Sequence, residues 1–239
     1  MKYIKVDYIV CCDDDFKIIK NGAIVFDDNI IDFGSFDDMK LKYNNEFVYQ
    51  GTNSILIPAF INSHTHLEFC NHKNTLMYGN FTMWLKSVIF GNTFNGAKLA
   101  KPINASKEQI KQELDNMLSC GVGSIGAISS FGLDIEICAS HKMNVVLFNE
   151  ILGSKKEMIK IAKESFNKRI YKCLELKNSI KNNSFIPAIS IHSPYSTSKK
   201  LAKLAIKKAN KYGLSVSSHF LESQEENKYI NKIERASCR

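Results

Sequence analysis

The alternation of strand-like and helix-like segments beyond residue 58 constrains the fold of this chain most strongly. Helical patterns near 134–141, 155–179 and 199–212 separate short runs rich in apolar and β-branched residues. The apolar runs are PAFINSH, VGSIGAI, NVVLFNEIL, SFIPAISIH and LSVSSHF. Strands that alternate with helices in this way form a parallel sheet with right-handed crossover connections. The sequence therefore predicts an α/β fold over residues 59–239.

Residues 1–58 have a different pattern of residue types. The segments YIKVDYIVC, GAIVFDDNIIDFG and NSILI are rich in β-branched and aromatic residues and are bounded by Asn, Asp and Gly. Such segments are typical of short strands joined by turns. We expect a small N-terminal β domain here, followed by a (β/α) domain.

Two helices precede the second apolar run. NFTMWLKSVIF has a helical pattern, and so has SKEQIKQELDNMLSCG. In the latter, Ser106 is a candidate N-cap and Gly121 a candidate C-cap, since these residue types are typical of the two helix ends.

Composition excludes several classes of protein. The chain has 239 residues, 44% of them hydrophobic, and no apolar run approaches the roughly 18 residues of a membrane span. The N-terminal sequence does not resemble a signal peptide. Seven cysteines without a CxxC pair predict neither a disulfide framework nor a zinc knuckle. We therefore expect a cytoplasmic protein without a membrane partner.

The net charge of +8 raises the question of a nucleic-acid partner. The lysines are spread along the predicted helices, where they form solvated faces, and no nucleic-acid-binding motif accompanies them. We therefore expect a small-molecule substrate and no nucleic acid. The sequence does not specify the oligomeric state and is compatible with a homodimer.

Polar residues occur where the predicted strands end. His64 and His66 end the first strand, Glu150 the third, His192 the fourth and His219 the fifth. Residues i and i+2 of a strand point to the same side, so His64 and His66 converge. In (β/α) barrels the active site lies at the carboxyl ends of the strands. His72 and His141 do not follow this pattern, and we expect them on the surface or at helix ends.

These positions suggest a metal site, although other interpretations stay open. His64, His66 and His219 can hold one divalent metal, or they can be hydrogen-bonded core histidines. His192 can bind metal or substrate. Glu222 lies three residues beyond His219 and can move protons at such a site, or it can be a surface glutamate that favours a helix N-terminus.

The segments PAFINSHTHLEF, IHSPYSTS and SSHFLES resemble the amidohydrolase superfamily, in its branch of metal-dependent deaminases and chlorohydrolases. The resemblance implies that His64, His66 and His219 bind one divalent metal ion, zinc or iron. It implies that Glu222 is the catalytic proton shuttle and that His192 contacts the substrate. Binuclear relatives use a lysine at the fourth strand, where SIHSPY has none, so a mononuclear site is implied.

Within that branch, HTHLEF, YGNFTMWLKSVI and LFNEILG are similar to the aminodeoxyfutalosine deaminases. This implies an adenine-type nucleoside, 6-amino-6-deoxyfutalosine of the futalosine route to menaquinone, as the substrate. Alternatives are a methylthioadenosine/S-adenosylhomocysteine deaminase, a guanine deaminase, a chlorohydrolase or an inactive fragment.

Three further residues are expected to contact the substrate near the mouth of the barrel. They are Glu68, Trp84 and Glu150. A loop carboxylate, a packing aromatic and a strand-end carboxylate are their respective alternative interpretations.

The resemblance also implies a histidine after a sixth strand and an aspartate after an eighth, and the segment beyond His219 contains neither. A complete (β/α)₈ barrel takes about 250 residues. We therefore expect an incomplete TIM-type barrel of about five β/α units, truncated at its C-terminus.

Overall fold

The computed structural model describes residues 1–43, 46–73, 76–90, 93–94, 97–98, 105–180 and 184–237. Contacts divide the chain into two compact units, Met1–Ala59 and Phe60–Arg239. Of the helices in the described part of the chain, none has the length and apolar character that a bilayer crossing requires. The expected domain boundary after residue 58 stays a prediction.

The first unit is a small sheet with one helix. Its elements are β1 (Lys2–Val10), β2 (Ile18–Phe26), β3 (Ile30–Ser35), α1 (Phe36–Lys42), β4 (Glu46–Gln50) and β5 (Ile55–Leu56). The strand order is β3-β2-β1-β4, and β5 also pairs with β1. β1, β2 and β3 pair antiparallel, whereas β4 and β5 run parallel to β1.

Helix α1 was not expected, because its sequence was interpreted as part of the strands and turns. The Ser35 hydroxyl accepts a hydrogen bond from the Asp38 amide and caps the helix N-terminus. Buried Met39 then packs into the small core with Ala23 and Val25. The Tyr3 hydroxyl donates to the Met39 carbonyl at 2.5 Å, which fastens the helix to β1.

The second unit alternates strands and helices, as the sequence predicted. Its larger elements are β6 (Phe60–Thr65), a 3₁₀ helix (Leu67–His72), α2 (Phe81–Phe90), α3 (Lys107–Ser119), β9 (Val122–Ser129), α4 (Ile135–Ser140), β10 (Asn144–Ile151), α5 (Met158–Ser179), β11 (Phe185–Ile191), α6 (Lys199–Tyr212), β12 (Val216–Ser218) and α7 (Gln224–Ser237). Two short strands, β7 (Thr93–Phe94) and β8 (Ala97–Lys98), pair with each other between α2 and α3.

The main sheet has the order β12-β11-β10-β9-β6, and every neighbouring pair is parallel. Strands that follow one another in sequence are thus neighbours in space, as in one side of a (β/α) barrel. The expected partial TIM-type fold is confirmed. One consequence is that all five carboxyl ends lie along one edge of the sheet.

The helices bury the outer face of this sheet in two apolar clusters. Ile110 and Leu114 of α3 pack with Ile125 and Leu147 of the strands. A second cluster joins α5 and α6 to β10 and β11, and it includes Phe166. These contacts hold the strands rigidly enough to position polar side chains at their ends.

The ends of α3 are close to those predicted. Ser106 is the N-cap, and its side chain and that of Gln109 bond reciprocally to each other's backbone amides. Cys120, rather than Gly121, is the C-cap, and Gly121 follows it with a φ of 86°. The helix therefore ends one residue earlier than the sequence indicated.

Asp134, at the start of α4, is a buried carboxylic acid. Its Oδ1 accepts a hydrogen bond from the Ser129 hydroxyl at 2.5 Å. Its Oδ2 is buried without a hydrogen-bond partner among the described residues. Burial, together with the nearby charge of Glu68, raises the pKa of Asp134 to about 7. The folded protein therefore favours the protonated form.

We expect this group to make the free energy of unfolding depend on pH. In the unfolded chain Asp134 ionises near its ordinary pKa of 3.8, whereas the folded chain keeps the proton to about 7. Between these values the folded state binds more protons, so stability falls as the pH rises, by about 1.4 kcal/mol for each pH unit. Asp134→Asn should remove this loss in urea unfolding measured across that range.

Asp115→Asn is the matched control, because Asp115 is an exposed carboxylate whose pKa is lowered by its hydrogen bond to Lys111. That variant should keep the pH dependence of the original protein. Identical slopes for the Asp134→Asn variant and the original protein would contradict the expectation.

Candidate functional site

A bulge near the end of β6 presents His64 and His66. The pairing of β6 with β9 shifts register between Asn62 and Thr65. Gly126 of β9 makes this close approach feasible, since a Cβ there would collide with the Ser63 carbonyl. The bulge redirects the strand end, as such irregularities commonly do near functional sites.

The three histidines that were expected to bind metal meet at this edge. The ring of His64 lies 5.1 Å from that of His66 and 4.9 Å from that of His219, centre to centre. His66 and His219 are stacked at 5.3 Å. One ring nitrogen of each lies within 4.8 Å of the others. These nitrogens are thus close enough to approach one ion.

Backbone hydrogen bonds between strand ends position His192 and His219. The His192 amide donates to the Ile151 carbonyl at 3.1 Å, and the His219 amide donates to the His192 carbonyl at 2.8 Å. The rings of His192 and His219 consequently lie 5.0 Å apart. His192 Nδ1 is within 2.7 Å of the Ser196 hydroxyl, which leaves Nε2 as the nitrogen available to the site.

Glu150 reaches the same place from β10. One of its carboxylate oxygens accepts a hydrogen bond from the Ser130 hydroxyl, and the other lies 3.3 Å from His219 Nε2. Burial opposes its ionisation, but His219, His192 and Ser130 outweigh that effect, so the pKa of Glu150 is lowered. Glu150, His192 and His219 form a second group of donors within 4.8 Å of one another.

Glu222 approaches His219 from the other side. Its Oε1 lies 2.8 Å from His219 Nδ1, and its backbone amide donates to Glu226. Leu221 has a φ of 58°, an unusual conformation for a leucine, which turns the chain between His219 and Glu222. Glu222 precedes α7 rather than lying at its first turn, and it remains partly exposed.

Burial keeps most of the imidazoles uncharged. It lowers the pKa of His66 to about 4, and it also lowers the pKa values of His64 and His192. The pKa of His219 is raised, chiefly by Glu150 and further by Glu222. Neutral imidazole is the form that binds metals.

The donor set fits a divalent metal ion. His66 Nδ1 is buried and has no hydrogen-bond partner among the residues that the structure describes. His219 Nε2 and Glu150 Oε1 are also buried; they lie 3.3 Å apart and make no well-aligned hydrogen bond with each other or with another described residue. Buried polar atoms are normally satisfied. Three imidazole nitrogens that converge beside a carboxylate suit zinc, iron or a similar ion.

Trp84 lies on a cavity of about 490 Å³ that Glu222 also lines. Its ring stacks on Phe81 at 5.8 Å, and Phe81 meets the edge of Tyr195, which in turn faces His192. A row of aromatic rings therefore leads from the histidines to the cavity. Trp84 is 40% exposed, so it can contact a ligand there.

The two carboxylates expected near the mouth, Glu68 and Glu150, are buried. Glu68 is completely buried and Glu150 is 1% exposed, because both are held by hydrogen bonds below the surface. That Glu68 and Glu150 contact the substrate stays a prediction. His72 ends the 3₁₀ helix and His141 caps α4, so both lie at helix ends, as expected.

Sequence reasoning missed Ser130 and Arg169. Ser130 follows β9 and bonds to Glu150, and the Arg169 guanidinium donates to the Glu150 carbonyl. The polar residues that follow the apolar run VGSIGAI were the available signal for Ser130. Arg169 lies within a lysine-rich helix, where nothing in its spacing distinguishes it.

A model of the amidohydrolase family matches residues 55–236. An aminodeoxyfutalosine deaminase of Nitratiruptor sp. is 37% identical over 215 residues, which are 90% of this chain and 51% of that protein. An adenosine deaminase of Helicobacter pylori is 33% identical over 227 residues, 95% of this chain and 52% of that protein.

A solved structure is also similar. The crystal structure of Helicobacter pylori aminofutalosine deaminase in complex with methylthio-coformycin matches with a TM-score of 0.80 at 31% identity. The match covers 95% of this chain and 53% of that chain. The present chain thus spans about half the length of the relatives it matches.

We expect His64→Ala, His66→Ala and His219→Ala each to weaken Zn²⁺ binding. Losing a ligand should cost more than the roughly 10–100-fold loss of affinity that follows removal of an outer-shell partner. Competition with a chelating dye measures the affinity. His141→Ala is the control, because that ring is engaged with Asp115. Unchanged affinity in the three variants would contradict the proposed donor set.

Proposed function

The chain belongs to the amidohydrolase family, and from that premise we propose that it carries the metal-binding and proton-transfer residues of a hydrolytic deaminase for adenine-type nucleosides. The observation that carries this proposal is the convergence of His64, His66 and His219 beside Glu222. The named relatives that act on such nucleosides support it.

His64, His66 and His219 would hold the metal. A divalent ion bound there would supply Lewis acidity and would lower the pKa of a water molecule. The ionised Glu150, buried next to His219, adds negative charge that favours a cation. The same charge leaves His219 well oriented, with Nδ1 towards Glu222 and Nε2 towards the other donors.

Glu222 would move the proton. In deamination, water adds to the ring carbon that bears the amine, a ring nitrogen gains a proton, and ammonia leaves. A carboxylate must take a proton from the water and deliver it to the ring. Glu222 is partly exposed, touches His219 and lines the adjoining cavity, so it can face both water and substrate.

His192 and Trp84 would bind the substrate. With Nδ1 engaged by Ser196, the remaining nitrogen of His192 can bond to the purine ring. Trp84 offers an aromatic surface at the cavity, against which a planar or apolar group can pack. We therefore assign His192 and Trp84 to substrate contact, and Glu150 to a place beside the metal.

We further propose 6-amino-6-deoxyfutalosine as the substrate, and with it a place in menaquinone biosynthesis by the futalosine route. The similarity to aminodeoxyfutalosine deaminase supports this substrate. The related structure from Helicobacter pylori binds methylthio-coformycin, a nucleoside analogue.

Replacing Glu222 by Gln should lower the rate of deamination by roughly 10²–10⁴-fold, since Gln keeps the shape but cannot carry a proton. The rate is measured on 6-amino-6-deoxyfutalosine with the longest protein that the gene encodes, and Zn²⁺ content is measured alongside. Glu164→Gln, in an exposed position of α5, is the control. Near-normal turnover would mean that another group is the shuttle.

Trp84 is the only tryptophan, so its fluorescence reports on the cavity alone. We expect adenosine and 5′-methylthioadenosine to change its emission in a saturable manner, because they bring a purine or its substituent close to the indole ring. Guanine should have a much weaker effect at equal concentration. A stronger response to guanine than to both adenine nucleosides would contradict the proposed substrate class.

A further inference from the structure

Glu68 makes a group of hydrogen bonds that its position in the sequence does not suggest. Its Oε2 accepts from the amides of Ser130 at 2.7 Å and Phe131 at 2.9 Å, and its Oε1 accepts from the amide of Leu133 at 2.9 Å and from Phe131 at 3.2 Å. The carboxylate is completely buried. One side chain therefore holds most of the loop that links β9 to α4.

Side-chain hydrogen bonds also hold that loop, from Ser129 to Asp134 and from Ser130 to Glu150. Its amides need acceptors once they are buried, and a carboxylate that receives several backbone N–H groups binds them strongly. Glu68 itself is anchored, since its carbonyl accepts from the Ala105 amide at 2.8 Å. The orientation of the loop thus depends on a residue that lies two positions after His66 in the chain.

Ser130 connects this anchor to the candidate metal site. Its amide donates to Glu68, and its hydroxyl donates to one carboxylate oxygen of Glu150. With that oxygen held, the other one lies 3.3 Å from His219 Nε2. Arg169 fixes Glu150 further, by donating to its backbone carbonyl. Glu68, Ser130, Glu150 and His219 consequently form a continuous series of contacts.

We propose that Glu68 is a positioning residue of the metal site, which acts through Ser130 to aim the Glu150 carboxylate at His219. This inference rests on the proposed function, because it assumes that His219 binds metal. It assigns Glu68 a purpose other than substrate contact. Outer-shell partners of this kind orient ligands and adjust metal affinity.

Binding of Co²⁺ to the 239-residue chain, followed by its visible absorption, tests the proposal. Glu68→Gln replaces one acceptor oxygen by an NH₂ group that faces backbone donors, so it should release the loop. Ser130→Ala keeps the loop amide and removes only the hydroxyl, so it interrupts the series even if Glu68→Gln folds poorly. We expect each variant to weaken Co²⁺ binding by about 10–100-fold.

The double variant separates positioning from general destabilisation. Glu68 and Ser130 act in series. The Glu68→Gln/Ser130→Ala protein should therefore lose no more Co²⁺ affinity than the single variant that shows the larger loss. Asp134→Asn is the matched control, since Asp134 is a buried carboxylate of the same loop region that bonds to Ser129 instead. It should bind Co²⁺ as the original protein does.

Amide hydrogen exchange of Ser130, Phe131 and Leu133 provides a readout without metal. Protection of these amides should fall in Glu68→Gln and persist in Ser130→Ala. Unchanged Co²⁺ affinity in Glu68→Gln, an equal loss in Asp134→Asn, or additive losses in the double variant would overturn the positioning role alone. An original protein that binds no Co²⁺ would overturn the proposed metal site, and this inference with it.

Discussion

The parallel hydrogen-bonded ladder of β6, β9, β10, β11 and β12 is the constraint on which the candidate site depends. Parallel strands end at a common edge, so residues far apart in the chain become neighbours without any contact between their own segments. The ladder continues beyond the regular strands, from Ile151 to His192 and from His192 to His219. Helices packed on the outer face keep this edge in place.

Three buried carboxyl groups, those of Glu68, Asp134 and Glu150, belong to the part of the structure around the histidines. Removing a carboxylate from water is costly unless hydrogen bonds or opposite charges replace the solvent. Glu68 is compensated by three backbone amides, and Glu150 by Ser130 and the neighbouring imidazoles. Asp134 has less compensation and so favours its protonated form. Burial and the nearby charge of Glu68 both oppose the ionisation of Asp134.

The same electrostatics suit the proposed chemistry. Burial keeps His66 neutral, whereas Glu150 stays ionised and raises the pKa of His219. The uncharged rings of His64 and His66 can offer a nitrogen to a divalent cation, whereas His219 must be in its neutral form to bind one. Glu222 is placed differently, because it is partly exposed and borders the cavity with Trp84. In the proposed function, metal binding and proton transfer would thus occupy environments of different polarity on the two sides of His219.

The sequence by itself determined the alternation of elements, the parallel sheet and the placement of histidines at strand ends, because periodicity records which face of each segment is buried. Helix α1 was missed although Ser35 and Asp38 were visible as a cap, since the short segment was interpreted as turns. The pairing of His64 with His66 followed from strand geometry, and the inclusion of Glu222 and His192 in the site drew on family resemblance as well.

Only the tertiary structure decided the places of Glu68, Ser130 and Glu150. Glu68 and Ser130 are 62 residues apart in the chain, and Ser130 and Glu150 are 20 apart. The local sequence does not determine whether Glu68 faces solvent or the backbone amides of the loop after β9. That depends on which atoms the packed sheet brings close to its carboxylate. Hydrogen-bond partners of this kind are set by the three-dimensional arrangement of the strands rather than by periodicity.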